Sequence, residues 1–167
     1  MLAFAVSFDG PIAIRYPRGS AHQGLREYQA PVEYGRSEII RKGKKIAVLG
    51  VGSMIPSCME ICKGLKDDGY DPTFVNARFV KPLDVDLLDE LAKDHSLFVT
   101  VEENVKSGGY GEHVSAYMEA CHPEIRVLSA AVWDRFVPQG NVESLRSRIG
   151  LGVEDIRQAI EDSEELR

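Results

Sequence analysis

The sequence predicts an α/β fold: one mostly parallel sheet of about five strands, with an antiparallel strand at one edge and helices on both faces. The main observation is that strand-like apolar runs alternate with helical patterns along most of the chain. Two of these runs also end in segments that open a helix, as parallel strands do at their carboxyl ends. Finally, residues 97–101 are almost continuously apolar, which is typical of a strand covered on both faces.

The composition is that of a single globular domain. The chain has 167 residues, of which 44% are hydrophobic and 28% charged, so it can bury a core. A net charge of -6 disfavours a nucleic-acid partner, because phosphate backbones bind basic surfaces. No apolar stretch reaches the roughly 18 residues of a membrane helix, which excludes a membrane partner. The first residues also lack the basic region of a secretory signal.

The three cysteines are an odd number and give no disulfide framework. Cys58 and Cys62 lie four apart on a predicted helix, and Cys121 lies on another. We interpret all three as buried free thiols, which indicates a reducing compartment and a cytoplasmic protein.

The sequence of the first 35 residues predicts a short strand followed by a linker. Residues 11–16 have the composition of a short strand, which Pro17 and Gly19 would stop. The following stretch up to residue 35 has no sustained periodicity and is predicted to be a linker. A hairpin is predicted next, with strands at 38–41 and 46–51, the first of them antiparallel at the sheet edge.

Beyond the hairpin, helices and strands alternate. Ser53 is predicted to cap the first helix, Gly69 to end it, and Asp84 to cap the next. The buried stripe of a further helix is predicted to contain Tyr110, Val114, Tyr117 and Cys121. The other predicted elements are strands at 73–79, 97–101 and 125–132 and helices at 143–149 and 153–160.

Two glycine-containing turns precede helices, where backbone N–H groups can receive an anion. The first, residues 50–53, lacks the third glycine of a dinucleotide fingerprint, which favours a tight turn. The second, Gly108–Gly111, either receives an anion or lets the loop approach a neighbouring backbone closely. The second interpretation is favoured, and both remain open.

The polar residues do not assemble a catalytic set. Glu102 and Glu103 are adjacent on a strand and therefore point to opposite faces, which leaves one of them to line the carboxyl edge of the sheet. No histidine has a partner at metal spacing, and no serine lies in a nucleophile elbow. The sequence therefore predicts neither a catalytic residue nor a metal site.

The segment Arg15–Gly19 places two arginines beside a proline and a glycine at the end of the predicted strand. The planar guanidinium group suits phosphate or carboxylate. A ligand site and a structural salt bridge are equally compatible with this pattern.

Several motifs together resemble the transketolase-like thiamine-diphosphate enzymes. The resemblance covers essentially the whole chain, with the motifs in the family's order. They are Gly10-Pro11-x-Ala13-x-Arg15-Tyr16-Pro17-Arg18-Gly19, Arg78-Phe79-Val80-Lys81-Pro82-Leu83-Asp84, Val101-Glu102-Glu103-Asn104, Gly108-Gly109-Tyr110-Gly111 and Asp134-Arg135-Phe136-Val137-Pro138-Gln139-Gly140. Trp133 departs from the family, which usually has proline before Asp134.

The resemblance implies a carboxy-terminal fragment. Residues 1–20 would end the pyrimidine-binding domain, residues 21–36 would form a linker, and residues 37–167 would form the transketolase-like carboxy-terminal domain. The family members that the motifs resemble most condense pyruvate with glyceraldehyde 3-phosphate, with loss of CO2. They are homodimers that use thiamine diphosphate and Mg²⁺.

Only one site residue carries over from the family. Arg18 would contact the phosphate of the aldehyde substrate, and Arg15 is a weaker candidate. The residues that hold the cofactor and metal would lie in an amino-terminal portion that this chain lacks, so no catalytic, cofactor or metal residue is assigned here. Two alternatives remain: a stand-alone binding or oligomerisation module that takes an anion at Gly108–Gly111, and the small subunit of a split enzyme.

Overall fold

The computed structural model describes residues 1–16, 24–25, 28 and 30–163. Within these ranges the chain forms a five-stranded sheet in the order β1-β3-β2-β4-β5. The strands are β1 Glu38–Arg41, β2 Lys45–Gly50, β3 Thr73–Asn76, β4 His95–Val105 and β5 Arg126–Val132. The helices are α1 Leu2–Ser7, α2 Ile55–Asp67, α3 Val85–Ala92, α4 Tyr110–Cys121, α5 Val142–Arg148 and α6 Val153–Glu161, and a 3-10 turn spans Gly52–Met54.

Strand β1 is antiparallel to β3 at one edge, and all other pairs are parallel. Helices α2 and α6 cover one face of the sheet and helices α3 and α4 the other, each over its own buried cluster. The alternation of apolar residues between the two clusters follows the period of two along each strand. The predicted fold class is therefore confirmed, including the antiparallel edge strand.

The predicted hairpin between β1 and β2 is wrong, because β3 lies between these two strands. Both sides of β2 are occupied by parallel neighbours, β3 and β4, so β1 cannot pair with β2 and pairs with β3 at the sheet edge instead. The connection crosses the start of β3 at close range. The Gly43 N–H donates to Thr73 Oγ1 at 2.9 Å, and the Lys44 N–H donates to the Asp71 carbonyl at 2.6 Å.

This crossing predicts a large effect of substituting Gly43. A Cβ atom at Gly43 would lie 2.1 Å from the Asp71 carbonyl oxygen and 2.6 Å from the Pro72 carbonyl carbon, both of them backbone atoms. Gly43→Ala should therefore lower the free energy of unfolding by about 2–3 kcal/mol, as overpacking does. The neighbouring exposed Lys42→Ala is the control and should change it by less than about 0.5 kcal/mol. Equal unfolding midpoints in urea for the two variants would contradict the close crossing.

Three local predictions differ from the structure. Residues 11–16 form no strand, because no strand of the described sheet lies beside them to complete a ladder. Cys58 and Cys62 are buried free thiols as predicted, but Cys121 is exposed. Tyr117 is only half-buried, and Met118 takes the core position instead, because the buried stripe of α4 follows the four-residue spacing of Tyr110, Val114 and Met118. Among the described residues, no helix is long and apolar enough to cross a membrane.

Candidate functional site

The strand order places the segments that follow β3, β2, β4 and β5 in one row along the carboxyl edge of the sheet. The residues before β1 join this edge, because β1 runs antiparallel and Glu38 pairs with Asn76 at the end of β3. The chain leaves β2 and β4 toward opposite sides of the sheet, so a topological switch point lies between them. Every motif that the sequence singled out within the described ranges after residue 37 lies along this carboxyl edge.

Arg78 begins the row, just after β3. Its Nη1 donates to the carbonyls of Ala30 and Pro31 at 3.0 and 3.1 Å, and its Nη2 forms an ion pair with Glu38 Oε2 at 2.5 Å. The side chains of Arg78 and Glu38 are only 11% and 8% exposed. The other oxygen of Glu38 accepts from the Ala30 N–H at 3.2 Å. This buried pair therefore holds residues 30–31 against the edge strand.

The motif that begins at Arg78 ends at Asp84, which also contacts the segment before β1. The carboxylate accepts from the Ser37 N–H at 2.7 Å, from Arg36 at 2.9 Å and from the Leu87 N–H at 3.3 Å. The last contact confirms that Asp84 caps α3. The motif from Arg78 to Asp84 thus fastens the segment that precedes β1 at two points.

Between these two anchors the motif presents an aromatic surface to α1. The ring of Phe79 meets the rings of Phe4 and Tyr34 edge-on, with centroids 5.8 and 5.9 Å apart. Phe8 stacks on Tyr34 at 5.1 Å. The amino-terminal segment therefore lies on the carboxyl edge of the sheet, beside the end of β3.

Glu102 occupies the position where an external anion would bind at the start of α4. Its side chain is buried, and its two oxygens accept from the N–H groups of Tyr110 and Gly111 at 3.0 and 2.8 Å. A carboxylate at a helix N-terminus is stabilised by the helix dipole. Glu112 similarly accepts from the Gly108 N–H at 2.5 Å. The donors that could have received a ligand are thus used by the chain's own carboxylates.

The glycines of this loop provide the close approach that the sequence favours. A Cβ atom at Gly109 would lie 2.6 Å from the Val105 carbonyl oxygen, and one at Gly111 would lie 2.3 Å from Ser129 Oγ. The predicted close approach to a neighbouring backbone is therefore confirmed at Gly109, whereas Gly111 is packed closely against a side chain.

Glu103 points to the opposite face, as predicted, and meets the start of α2. One of its oxygens accepts from the Ser53 hydroxyl, and the other accepts from Arg146 Nε and Nη2 at 2.8 and 2.7 Å. Burial alone would raise the pKa of Glu103, but the Ser53 hydroxyl and the Arg146 guanidinium, with the positive charge of Arg15, hold it below its usual range. The prediction that Ser53 caps the helix is wrong, because its hydroxyl bonds to Glu103 instead.

The two predicted arginines of the amino-terminal segment have different outcomes. Arg15 is exposed and lies within the electrostatic reach of Glu103. Arg18 lies outside the described residues, so its assignment to the substrate phosphate stays a prediction.

The histidines have structural positions. His95 is buried, and burial lowers its pKa; Nδ1 lies 2.8 Å from the Leu91 carbonyl oxygen and Nε2 lies 2.7 Å from Thr73 Oγ1. His122 Nε2 is 2.8 Å from Asp89 Oδ1, in an open recess remote from the carboxyl edge. His113 is exposed, and His22 lies outside the described residues.

The part of the chain that the structure describes does not fit thiamine diphosphate and its metal. No three His, Cys, Asp or Glu side chains in that part are arranged to hold a metal ion. The helix N-terminus that would suit a diphosphate already holds Glu102. We therefore derive no chemical step through the cofactor from these residues.

The fold and the carboxyl edge define a class of protein, a doubly wound α/β domain. The carboxyl edge of its sheet contacts the chain's own amino-terminal residues, and the described residues form no catalytic set there. The model of the family described as transketolase, C-terminal domain, matches residues 35–156. This chain belongs to that family.

The curated relatives extend the match. The chain is 41% identical over 157 residues to a 1-deoxy-D-xylulose-5-phosphate synthase of Lachnoclostridium phytofermentans, covering 93% of this chain and 25% of the relative. It is 39% identical over 161 residues to the synthase of Dictyoglomus thermophilum, covering 96% of this chain and 26% of the relative. The chain therefore spans about a quarter of the length of these relatives.

Solved structures agree on the fold. A split-gene transketolase, described as an inactive beta4 tetramer, has a TM-score of 0.73 and 30% identity over 83% of this chain and 46% of its own. The transketolase of Campylobacter jejuni has a TM-score of 0.52 at 16% identity, covering 77% of this chain and 19% of its own, which shows a shared fold alone.

Proposed function

We propose that this chain is the carboxy-terminal part of a 1-deoxy-D-xylulose-5-phosphate synthase. That enzyme is a transferase that condenses pyruvate with glyceraldehyde 3-phosphate, releasing CO2, at the entry to isoprenoid biosynthesis and to thiamine and pyridoxal precursors. The proposal rests mainly on the alignment with the relative from Lachnoclostridium phytofermentans, which covers 93% of the chain. Such an alignment is longer than residues 35–167, so it includes part of the amino-terminal segment as well as the domain.

The proposed division of labour follows from the edge contacts. Residues 1–20 are the end of the preceding pyrimidine-binding domain, residues 21–36 are the linker, and residues 37–167 are the carboxy-terminal domain. The aromatic contacts of α1 and the hold of Arg78 on residues 30–31 support a role in fastening one domain to the other. In this proposal the domain supports packing and dimerisation, and the fragment alone is inactive.

The cofactor belongs to the preceding portion in this proposal. Thiamine diphosphate with Mg²⁺ supplies the stabilised carbanion when bound there. The described residues of this chain support the domain that holds it and bind neither the metal nor the diphosphate. The complete enzyme is proposed to be a cytoplasmic homodimer, and the three free thiols support a reducing compartment.

The direct test is formation of deoxyxylulose phosphate from the two substrates with thiamine diphosphate and Mg²⁺. We expect the complete polypeptide to be active, this chain alone to be inactive, and a mixture of this chain with the preceding portion to recover activity. A complete polypeptide that consumes neither substrate would overturn the proposed function.

A prediction for Arg18 tests the substrate contact within that function. Arg18→Ala in the complete enzyme should raise the KM for glyceraldehyde 3-phosphate about 10- to 100-fold, because a charge-assisted phosphate contact is lost. The KM for pyruvate should stay the same. Arg148→Ala, which removes an exposed arginine of α5, is the matched control. An unchanged KM for the aldehyde phosphate in Arg18→Ala would remove this residue from the site.

A second candidate is the small subunit of a split transketolase-type enzyme. The structural likeness to a split-gene transketolase at a TM-score of 0.73 favours it. The two candidates differ in whether the preceding portion is encoded in the same reading frame, which sequencing of the gene region decides. The stand-alone anion module is disfavoured, because Glu102 already occupies the donors of Tyr110 and Gly111.

A further inference from the structure

The exposed large hydrophobic side chains are distributed unevenly. Among the residues that the structure describes, each of them lies either in the amino-terminal segment or along the carboxyl edge. They are Met1, Leu2, Val6, Ile12, Tyr16, Tyr34, Val80, Val85, Val105, Trp133, Phe136, Val137 and Val142. The opposite edge has instead a polar set of exposed side chains, including Lys42, Lys44, Asp71, Lys93, Asp94 and Glu124. Such an asymmetry marks an interaction surface.

Part of this edge is covered by the chain itself. Phe4 and Phe8 pack on Phe79 and Tyr34 beside the end of β3. Further along the chain, the charge of Arg15 reaches Glu103 at the end of β4. The amino-terminal segment therefore runs along the row of carboxyl ends from β3 toward β4.

None of the described residues covers the next position in that row, after β5. The post-β5 patch consists of Val105, Trp133, Phe136, Val137 and Val142. Phe136 is fully exposed, and Trp133 and Val142 are 57% and 56% exposed. Exposing these apolar side chains to water costs free energy in proportion to their apolar area. An apolar surface that covers the patch is therefore stabilising.

The patch is held in shape by local contacts. The Lys106 N–H donates to the Val132 carbonyl at 2.8 Å, and the Lys106 ammonium lies 5.1 Å from the centre of the Trp133 ring. The Arg135 N–H donates to the Trp133 carbonyl at 2.6 Å, and Asn141 caps α5 through the Glu143 N–H. A surface that is ordered before binding loses less entropy when a partner docks.

We propose that the post-β5 patch docks onto the polypeptide that precedes residue 1 in the complete enzyme. This inference rests on the proposed function, because it requires the preceding portion. Three quarters of the relatives' length lies outside this chain, and that length is joined at α1, on the same edge as the patch. The tether gives the preceding portion a high effective concentration at this edge, which a second copy does not have.

The complete polypeptide tests the proposal when a protease site is inserted between residues 20 and 21. After cleavage, size-exclusion chromatography measures how much of the carboxy-terminal domain stays bound to the amino-terminal portion. We expect the unsubstituted protein to stay together. The double variant Phe136→Ser with Val142→Ser should weaken the association about tenfold or more, as loss of a central aromatic contact does.

The matched control is Lys63→Ser on α2, an exposed side chain away from the carboxyl edge, and it should leave the association unchanged. Introduced into this chain alone, where the replaced side chains are exposed, both variants should leave the unfolding temperature unchanged. Equal retention of the double variant and the control would overturn the proposal. A carboxy-terminal domain that elutes as a dimer without the amino-terminal portion, and as a monomer in the double variant, would also overturn it, since a second copy would then cover the patch.

Hydrogen exchange gives a second measurement that does not depend on cleavage. Amides of residues 132–137 should exchange at least about tenfold more slowly in the complete polypeptide than in this chain alone, and equal rates would overturn the proposal. Synthase activity of the uncut protein reports separately on the proposed function. Activity without docking would overturn the inference alone, and docking without activity would overturn the function alone.

Discussion

Arg78→Met is expected to lower the free energy of unfolding by about 3–5 kcal/mol, because it leaves a buried carboxylate without its cation. Methionine retains most of the aliphatic length of arginine, so the loss reports on charge and hydrogen bonding more than on volume. The Glu38 side chain is 8% exposed and has Arg78 as its ion-pair partner. The carbonyls of Ala30 and Pro31 lose their donor in the same variant. Urea unfolding followed by circular dichroism measures the change.

A double variant separates the charge from the other effects of Arg78→Met. Adding Glu38→Gln should recover about 1–2 kcal/mol, because a neutral amide is cheaper to bury than an unpaired carboxylate. The glutamine can still accept from the Ala30 N–H. Arg135→Met at an exposed position is the matched control and should stay within about 0.5 kcal/mol. A loss for Arg78→Met no larger than that of the control would show that the pair does not stabilise the packing of residues 30–31.

Glu102→Ala is expected to destabilise the domain by about 3 kcal/mol. The substitution leaves the N–H groups of Tyr110 and Gly111 buried without an acceptor, and it removes a negative charge from the start of α4. Glu102→Gln should lower the free energy of unfolding by about half as much, because the one amide oxygen can still accept a hydrogen bond from one of these two N–H groups. Both variants are measured by urea unfolding at neutral pH.

The control for Glu102 is Glu112, a second carboxylate at the same helix start. Glu112 is exposed, and its bond to the Gly108 N–H competes with water, so Glu112→Ala should cost less than about 1 kcal/mol. Native-state hydrogen exchange should show faster exchange of the Tyr110 and Gly111 amides in Glu102→Ala alone. Equal costs for the two alanine variants would contradict the buried anchoring role of Glu102.

Local patterns in the sequence were enough to predict most of the elements. Asp84 caps α3 as predicted, because a cap depends on residues only three positions apart. The apolar run at 97–101 lies in β4, covered on both faces, because period and polarity are properties of the segment itself. Ser53 shows the limit: its hydroxyl bonds to Glu103, 50 positions away, and no local pattern indicates such a partner.

The Gly108–Gly111 loop shows how the structure decides between alternatives that the sequence leaves open. An anion site and a tightly packed turn are both compatible with the same glycines at a helix start, and only the anion site needs free N–H groups. Glu102 decides between these two alternatives. It lies within β4, near the end of the strand, and its side chain accepts hydrogen bonds at the start of α4. The predicted hairpin failed for a related reason, since pairing partners depend on the order of all the strands.

The sequence by itself determined the α/β class, the antiparallel edge strand and the family, because residue periodicity, turn residues and motif order are written along the chain. Only the tertiary structure decided which distant residues meet. Arg78 holds carbonyls 47 and 48 positions away, and Arg146 binds a glutamate 43 positions away. Such contacts depend on the order in which the strands assemble, as does the collection of exposed apolar side chains along one edge. The physical reason is that ion pairs, hydrogen bonds and apolar contacts act over a few ångströms in space, whatever the separation in sequence.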